Sequence, residues 1–204
     1  MHTSAVNMCP CGQGQADPRS NKRQEKDAAT IAAPLSQTLG YNRHMSFLLI
    51  REVARIVVLD RERNVLLVRY EDAVPMDPNG RDPTTYWVPP GGGVDTQESR
   101  VTAAHRELLE ETGLNEEIGI PLWIRQHTLR FQGRLVEQVE HFFLVQLTGL
   151  RPSVANSTSE AIVEHRWWSR EELLQSTAVF FPQRFVELVS AVMEGNIPSG
   201  PITI

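Results

Sequence analysis

Cysteine is nearly missing from this chain. Two occur in 204 residues, Cys9 and Cys11. A lone C-x-C has neither the spacing of a structural zinc site nor the partners of a disulfide framework. Long apolar runs are missing too: the nearest, "FLLI" at 47–50, falls far short of the roughly 18–20 residues that span a bilayer. The opening "MHTSAVNMCPCGQGQ" lacks the basic start and apolar stretch of a secretory signal. A soluble, cytoplasmic protein with no membrane partner is expected. Positive charge is scarce as well, with 20 Lys and Arg against 25 Asp and Glu. The net charge of −5 leaves no broad basic surface for polymeric DNA or RNA. A phosphate-bearing ligand of such a chain requires a cation to meet it.

Amphipathic periodicity is absent from residues 1–44, a polar stretch with "DPRSNKRQEKD" at its centre. It reads as a flexible tail ahead of one domain over 45–204, with Met45 standing where a start codon would open that domain. From Val53 the pattern changes. "ARIVVLD" and "NVLLVRY" are β-branched apolar runs parted by Arg61, Glu62 and Arg63, which predicts a hairpin. The loop "EDAVPMDPNGRDPTT" is longer than a connection requires, which favours a substrate-facing role. Strands are expected at "LWIRQHTLRF" and "LVEQVEHFFLVQL", turning at Gln132 and Gly133. In the second, Leu135, Val139, Phe143, Val145 and Leu147 form an apolar face interrupted by Glu137 and His141, the latter read as a core or rim histidine. "IVEHRWW" predicts another strand, Ser169 and Glu172 a capping box, and Phe185, Leu188, Val189 and Val192 the buried stripe of a last helix ending at Gly195. Strands that arrive as hairpins between helices imply an α/β fold with a mixed sheet and helices on its faces.

Between "YWVPP" and the next strand lies the informative stretch, "GGGVDTQESRVTAAHRELLEETGL". A helix is predicted over 99–112, ended by Gly113 in a left-handed conformation. Glu107, Glu110 and Glu111 stand at i, i+3 and i+4, an arc of about 100° on the helical wheel. Like charges so placed repel, and a solvated stripe would lie opposite the apolar face, whereas this arc adjoins Leu108 and Val101. Hard Mg²⁺ or Mn²⁺ takes carboxylate oxygens and removes that repulsion. The glycines before the helix allow backbone to approach a ligand or ion closely.

Gly92, Glu98, Arg106, Glu107, Leu108, Glu110, Glu111, Gly113 and Leu114 fill every defined position of G-x5-E-x7-R-E-U-x-E-E-x-G-U, with U aliphatic. In this the chain resembles the Nudix hydrolase family, and more loosely so from about Arg51 to Glu194. The resemblance implies an α/β/α sandwich and Mg²⁺- or Mn²⁺-dependent hydrolysis of a diphosphate linkage in a small phosphate-containing substrate, commonly a nucleotide derivative. Carried over by position, Glu107, Glu110 and Glu111 resemble the metal ligands, with a backbone carbonyl of Gly91 or Gly92 as a further one. Glu98 and Arg106 look like the pair that stabilises the box, with Gly113 closing it. Glu110 and Glu107 are also catalytic candidates.

The general base does not transfer with the motif. Glu160, in the loop "NSTSEAI", can swing toward a water and stay solvated when idle, and is favoured over Glu164 in the following strand. The runner-up function is a catalytically inactive Nudix-like module that senses a nucleotide, against which the intact box argues. Trp87, Trp123, Trp167 and Trp168 read either as core packing or as a stacking surface for a base. A homodimer is compatible with the sequence. Because residues 1–44 show no apolar face to bury, their removal is expected to leave melting temperature and activity unchanged; a calorimetric scan of the truncated chain checks this, and a fall of several degrees would show that the segment docks.

Overall fold

The computed structural model describes residues 48–75, 77–149, 151 and 162–204. The expected tail and Glu160 lie outside the described residues. The elements are β1 (Leu49–Leu59), β2 (Val65–Glu71), β3 (Thr85–Val88), β4 (Gly91–Gly93), α1 (Arg100–Thr112), β5 (Pro121–Phe131), β6 (Arg134–Gln146), β7 (Ile162–Trp168), α2 (Arg170–Gln175), α3 (Phe185–Met193) and β8 (Ile202–Thr203).

β1 organises the sheet. It runs parallel to β6 along its whole length, from Leu49↔Val136 to Leu59↔Gln146. Its other edge is divided. The Asp60–Asn64 turn folds β2 back for two pairs, Val58↔Leu66 and Leu59↔Val65. β4 then occupies the middle of that edge, Val53↔Gly93 to Arg55↔Gly91. β2 leaves β1 to pair with β3 and β7, both antiparallel. Pro89 and Pro90, which have no N–H to offer a ladder, lie where the chain crosses from β3 on β2 to β4 on β1. β5 and β6 form the expected hairpin, with Gln132 and Gly133 at φ 47° and 76°, the paired positive φ of a tight two-residue turn. The sheet is mixed.

Side-chain alternation splits the core into two layers. Ala54, Ile56 and Val58 of β1 join Phe143 and Val145 of β6 against Ala103, Ala104 and Leu108 of α1. Val57 and Leu59, with Phe142, Leu144 and Trp123, face the other way, against Phe185, Val189 and Val192 of α3. Helices therefore cover both faces, giving the α/β/α sandwich. Trp87 and Trp168 meet edge to face at 5.1 Å, and Trp123 packs on Phe142 and Phe185. All three tryptophans are buried, so none of them offers a stacking surface.

The sequence pattern and the structure differ in three places. The odd face of β6 is the less buried along its first half: Leu135 is exposed and Val139 half-buried, while Val136, Gln138 and Glu140 opposite them are buried. The strand is sandwiched on both sides, so alternation alone could not choose its inner face. The three glycines, for which the pattern predicted no strand, form a short one, because β1 offers a ladder to any backbone that can come close enough. β8, two residues parallel to β5, was too short to carry a pattern.

α3 depends on Phe185, which is fully buried. Phe185→Ala is expected to cost about 3–5 kcal/mol and to lower the melting temperature by roughly 10 °C. Thermal denaturation followed by circular dichroism checks this.

Candidate active site

α1 is fastened at both ends. The Ser99 hydroxyl accepts from Thr102 N–H, and Gly113, at φ 74°, donates its N–H to Leu109 O. Its apolar side presses on the sheet through Ala103, Ala104 and Leu108. That contact takes the neighbouring arc of acids along with it: Glu107 and Glu111 are 2% and 3% exposed, while Glu110 stays exposed.

The glycine strand makes room for them. A Cβ on Gly91, at φ 143°, would overlap the Ala54 carbonyl, and a Cβ on Gly92 would fall 2.5–2.7 Å from the Glu107 carboxylate. Only backbone without a side chain passes between β1 and these acids.

Arg106 supplies the nearest counter-charge. Its Nε and Nη2 donate to the two Glu98 oxygens at 3.0 Å each, its Nη1 to Glu107 at 2.6 Å and to Glu110 at 3.5 Å, and its Nη2 also to Gly93 O at 2.9 Å. One guanidinium thus ties the loop before the helix to two of the clustered acids. The hydrogen bond from Arg106 holds the Glu98 carboxyl below its ordinary value, and Arg106 itself is raised by Glu98 and Glu107.

Glu111 has a different setting. Its Oε2 accepts the Gly91 N–H at 2.8 Å and its Oε1 the Tyr70 hydroxyl at 2.9 Å. Burial, only partly offset by the Gly91 N–H, pushes its carboxyl up to about 7. Behind it, His165 Nε2 lies 2.7 Å from the Glu111 backbone oxygen. Tyr70 stacks on Tyr86, whose hydroxyl donates to Asp72.

The structure therefore gathers Gly91, Gly92, Glu98, Arg106, Glu107, Glu110 and Glu111 at one junction of helix and strand, with Gly113 as the helix stop. Glu164 stands apart: its carboxylate accepts from Arg69 Nε at 2.9 Å, on the side of β7 opposite its neighbour His165. His141 lies on the α1 face of β6, buried, with Nε2 unbonded among the described residues and its imidazole held below its ordinary range by burial. It takes no part in the site.

Tyr70, His165, Arg55 and Glu140 belong to the surroundings of the site and were not singled out from the sequence. For the last two a signal existed. Each is a charge within an apolar strand run, "ARIVV" and "EHFF", where a buried ion needs a partner.

Among the described residues, no three His, Cys, Asp or Glu side chains are drawn together as an assembled metal centre. The chemistry of the set nevertheless suits a hard divalent cation, since the donors are carboxylate oxygens and Glu107 abuts a bare glycine. Fold and site together define an α/β/α sandwich with an acidic box helix set against a glycine strand.

The NUDIX domain model matches residues 49–189. The chain belongs to the Nudix hydrolase family. It is 30% identical over 130 residues to a protein named RNA pyrophosphohydrolase from Wolbachia pipientis subsp. Culex pipiens (strain wPip), covering 57% of this chain and 80% of that one. It is 35% identical over 96 residues to a Bacillus subtilis (strain 168) protein provisionally named an 8-oxo-dGTP diphosphatase; the match covers 47% of this chain and spans only about half, 53%, of that relative. The crystal structure of a MutT protein from Methanosarcina mazei Go1 shares the fold at TM-score 0.54 and 21% identity, over 73% of this chain and 96% of that one.

Glu111 carries a pH dependence. Its folded value of about 7 exceeds the ordinary 4.5, so the folded chain holds an extra proton between those values. Metal-free stability contributed by this group is full below that window and declines as pH rises through it, by about 3 kcal/mol in all. In chelator, Glu111→Gln is expected to melt several degrees above the parent at pH 8 and close to it at pH 4.5. Melting curves across that range check this.

Proposed function

We propose that this protein is a divalent-cation-dependent hydrolase of diphosphate linkages in small nucleotides, a nucleoside triphosphate or a nucleoside diphosphate derivative. The observation that carries the reading is the arc of Glu107, Glu110 and Glu111 lying against the side-chain-free ribbon Gly91–Gly93. Glu107, Glu110 and Glu111 would hold Mg²⁺ or Mn²⁺, with a carbonyl of the glycine strand as a further ligand. Bound there, the cation supplies charge neutralisation at the phosphate oxygens and polarises the attacked phosphorus.

The chain's own groups do the rest. Arg106, on α1 itself, holds Glu107 and Glu110 in place, and its bonds to Glu98 and Gly93 O tie the helix to the preceding loop and the glycine strand. The glycine strand presents bare peptide, so a diphosphate can approach the acids without meeting a side chain. A carboxylate takes the proton of the attacking water as the P–O bond breaks. We assign that role to Glu160, with Glu110, the exposed member of the arc, as the alternative. Glu164 is less suited, being paired with Arg69. A small nucleotide fits the charge of −5 better than an RNA chain does, although one relative is named for RNA. No helix among the described residues is long and apolar enough to cross a membrane.

The test is a screen of nucleoside triphosphates, nucleotide sugars and dinucleoside polyphosphates with Mg²⁺ or Mn²⁺, reading released phosphate through a phosphatase. Turnover of at least one class is expected. Glu110→Gln should lower kcat by about a hundredfold or more while the melting temperature holds. No turnover of any class, or wild-type kcat in Glu110→Gln at saturating Mg²⁺, would overturn the reading.

A further inference from the structure

On the α3 side of the sheet, charged and polar groups interrupt the apolar surface. Beyond Val57 and Phe142 the same face carries Arg55 on β1, Gln138 and Glu140 on β6 and Arg125 on β5. These groups are bonded in a chain. Glu140, 3% exposed, accepts from Arg55 Nε at 3.3 Å, Arg125 Nη1 at 3.0 Å and Gln138 Nε2 at 3.1 Å. Buried ion pairs of this kind seldom stabilise a fold over an apolar replacement, so stability alone is a weak reason for this one.

The other end of Arg55 shows what it does. Nη1 donates to Gly91 O at 3.0 Å and to Pro89 O at 3.4 Å, and the Ile56 N–H donates to Pro90 O at 2.8 Å. All three residues before Gly92 are thereby held from β1, and the guanidinium holds two of them. On the opposite side of the same short segment, Gly91 N–H is the donor to Glu111. Gly91 has no side chain to brace it, and its φ of 143° lies outside the range most residues adopt.

We propose that Arg55, anchored by Glu140, is a positioning residue for the box: it sets the Gly91 carbonyl on one side of the glycine strand and, through the same segment, the Gly91 N–H that orients Glu111 on the other. The proposal rests on the hydrolase reading for its consequence in catalysis. Arg55 does not touch substrate; it acts through the backbone. A lysine cannot replace it, because a single ammonium cannot meet Glu140 and two carbonyls in the fork geometry of a guanidinium.

The experiment compares the full chain with Arg55→Lys and with the double variant Arg55→Met/Glu140→Met. The double variant removes the Arg55–Glu140 pair together, so neither is left buried without the other, while Arg125 loses its acceptor but, a fifth exposed, keeps access to water; it therefore carries the comparison should Arg55→Lys fail to fold. Three quantities are read: Mn²⁺ affinity by electron paramagnetic resonance of the free ion, kcat and KM with the best substrate, and hydrogen exchange of the Gly91 amide by NMR. In a folded variant the expected result is Mn²⁺ affinity and kcat each weakened by about 10-fold or more, with KM changed by less than about threefold, and faster Gly91 exchange. Folded variants with parental Mn²⁺ affinity, kcat and Gly91 exchange would overturn the proposal and show the network to be structural only. If the parent itself neither binds Mn²⁺ nor turns over substrate, the hydrolase reading fails separately. Gly91 exchange then decides the positioning role alone, parental exchange overturning it and faster exchange supporting it.

Discussion

Three carboxylates on one turn and a half of helix, two of them withdrawn from water, set the terms for everything packed around α1. Their mutual repulsion is small at a surface and grows with burial. The chain meets it with Arg106 of the same helix beside Glu107 and Glu110, and with groups from two other segments on Glu111, the Gly91 N–H and the Tyr70 hydroxyl. Of these, only Arg106 bears a charge. Glu111 is hydrogen-bonded by neutral donors and stays costly to ionise. That cost is the physical ground for the proposal that the helix binds a cation.

The glycine strand follows from the same constraint. α1 must lie close enough to β1 to bury Ala103, Ala104 and Leu108, yet a strand runs between its acids and the sheet edge. Any side chain at Gly91 would enter the β1 backbone, and one at Gly92 would displace Glu107. The strand is thus thin by necessity, and being thin it cannot fix itself by packing. It is held by hydrogen bonds, to β1, Arg106, Arg55 and Glu111. The buried charges on the far face of the sheet and the acids of the near face are in this way two ends of one arrangement with a bare peptide between them.

Much of this was legible in the sequence. The box helix with its Ser99 and Gly113 ends, the capping box at Ser169 and Glu172, the Gln132-Gly133 hairpin and the two-sided sandwich rest on local signals: periodicity, turn residues and fixed spacings. The pairing of Glu98 with Arg106 was implied by the family resemblance, and the two side chains meet in the structure. The β6 strand was harder. With helix layers on both sides, its inner face carries Gln138 and Glu140, and a scan for apolar alternation selects the wrong side.

What the sequence determined by itself is therefore the chemistry: which acids stand on one arc, where the backbone must be bare, and which family the pattern belongs to. Tertiary structure alone decided which groups stand against those acids. Tyr70 on Glu111 and Arg55 on Gly91 span 41 and 36 residues, and Glu140 reaches Arg55 across 85. Contacts of that length depend on strand order and register, because β1 must lie between β4 and β6 before Arg55 can touch both. No local spacing encodes that neighbourhood; it arises only when the sheet closes.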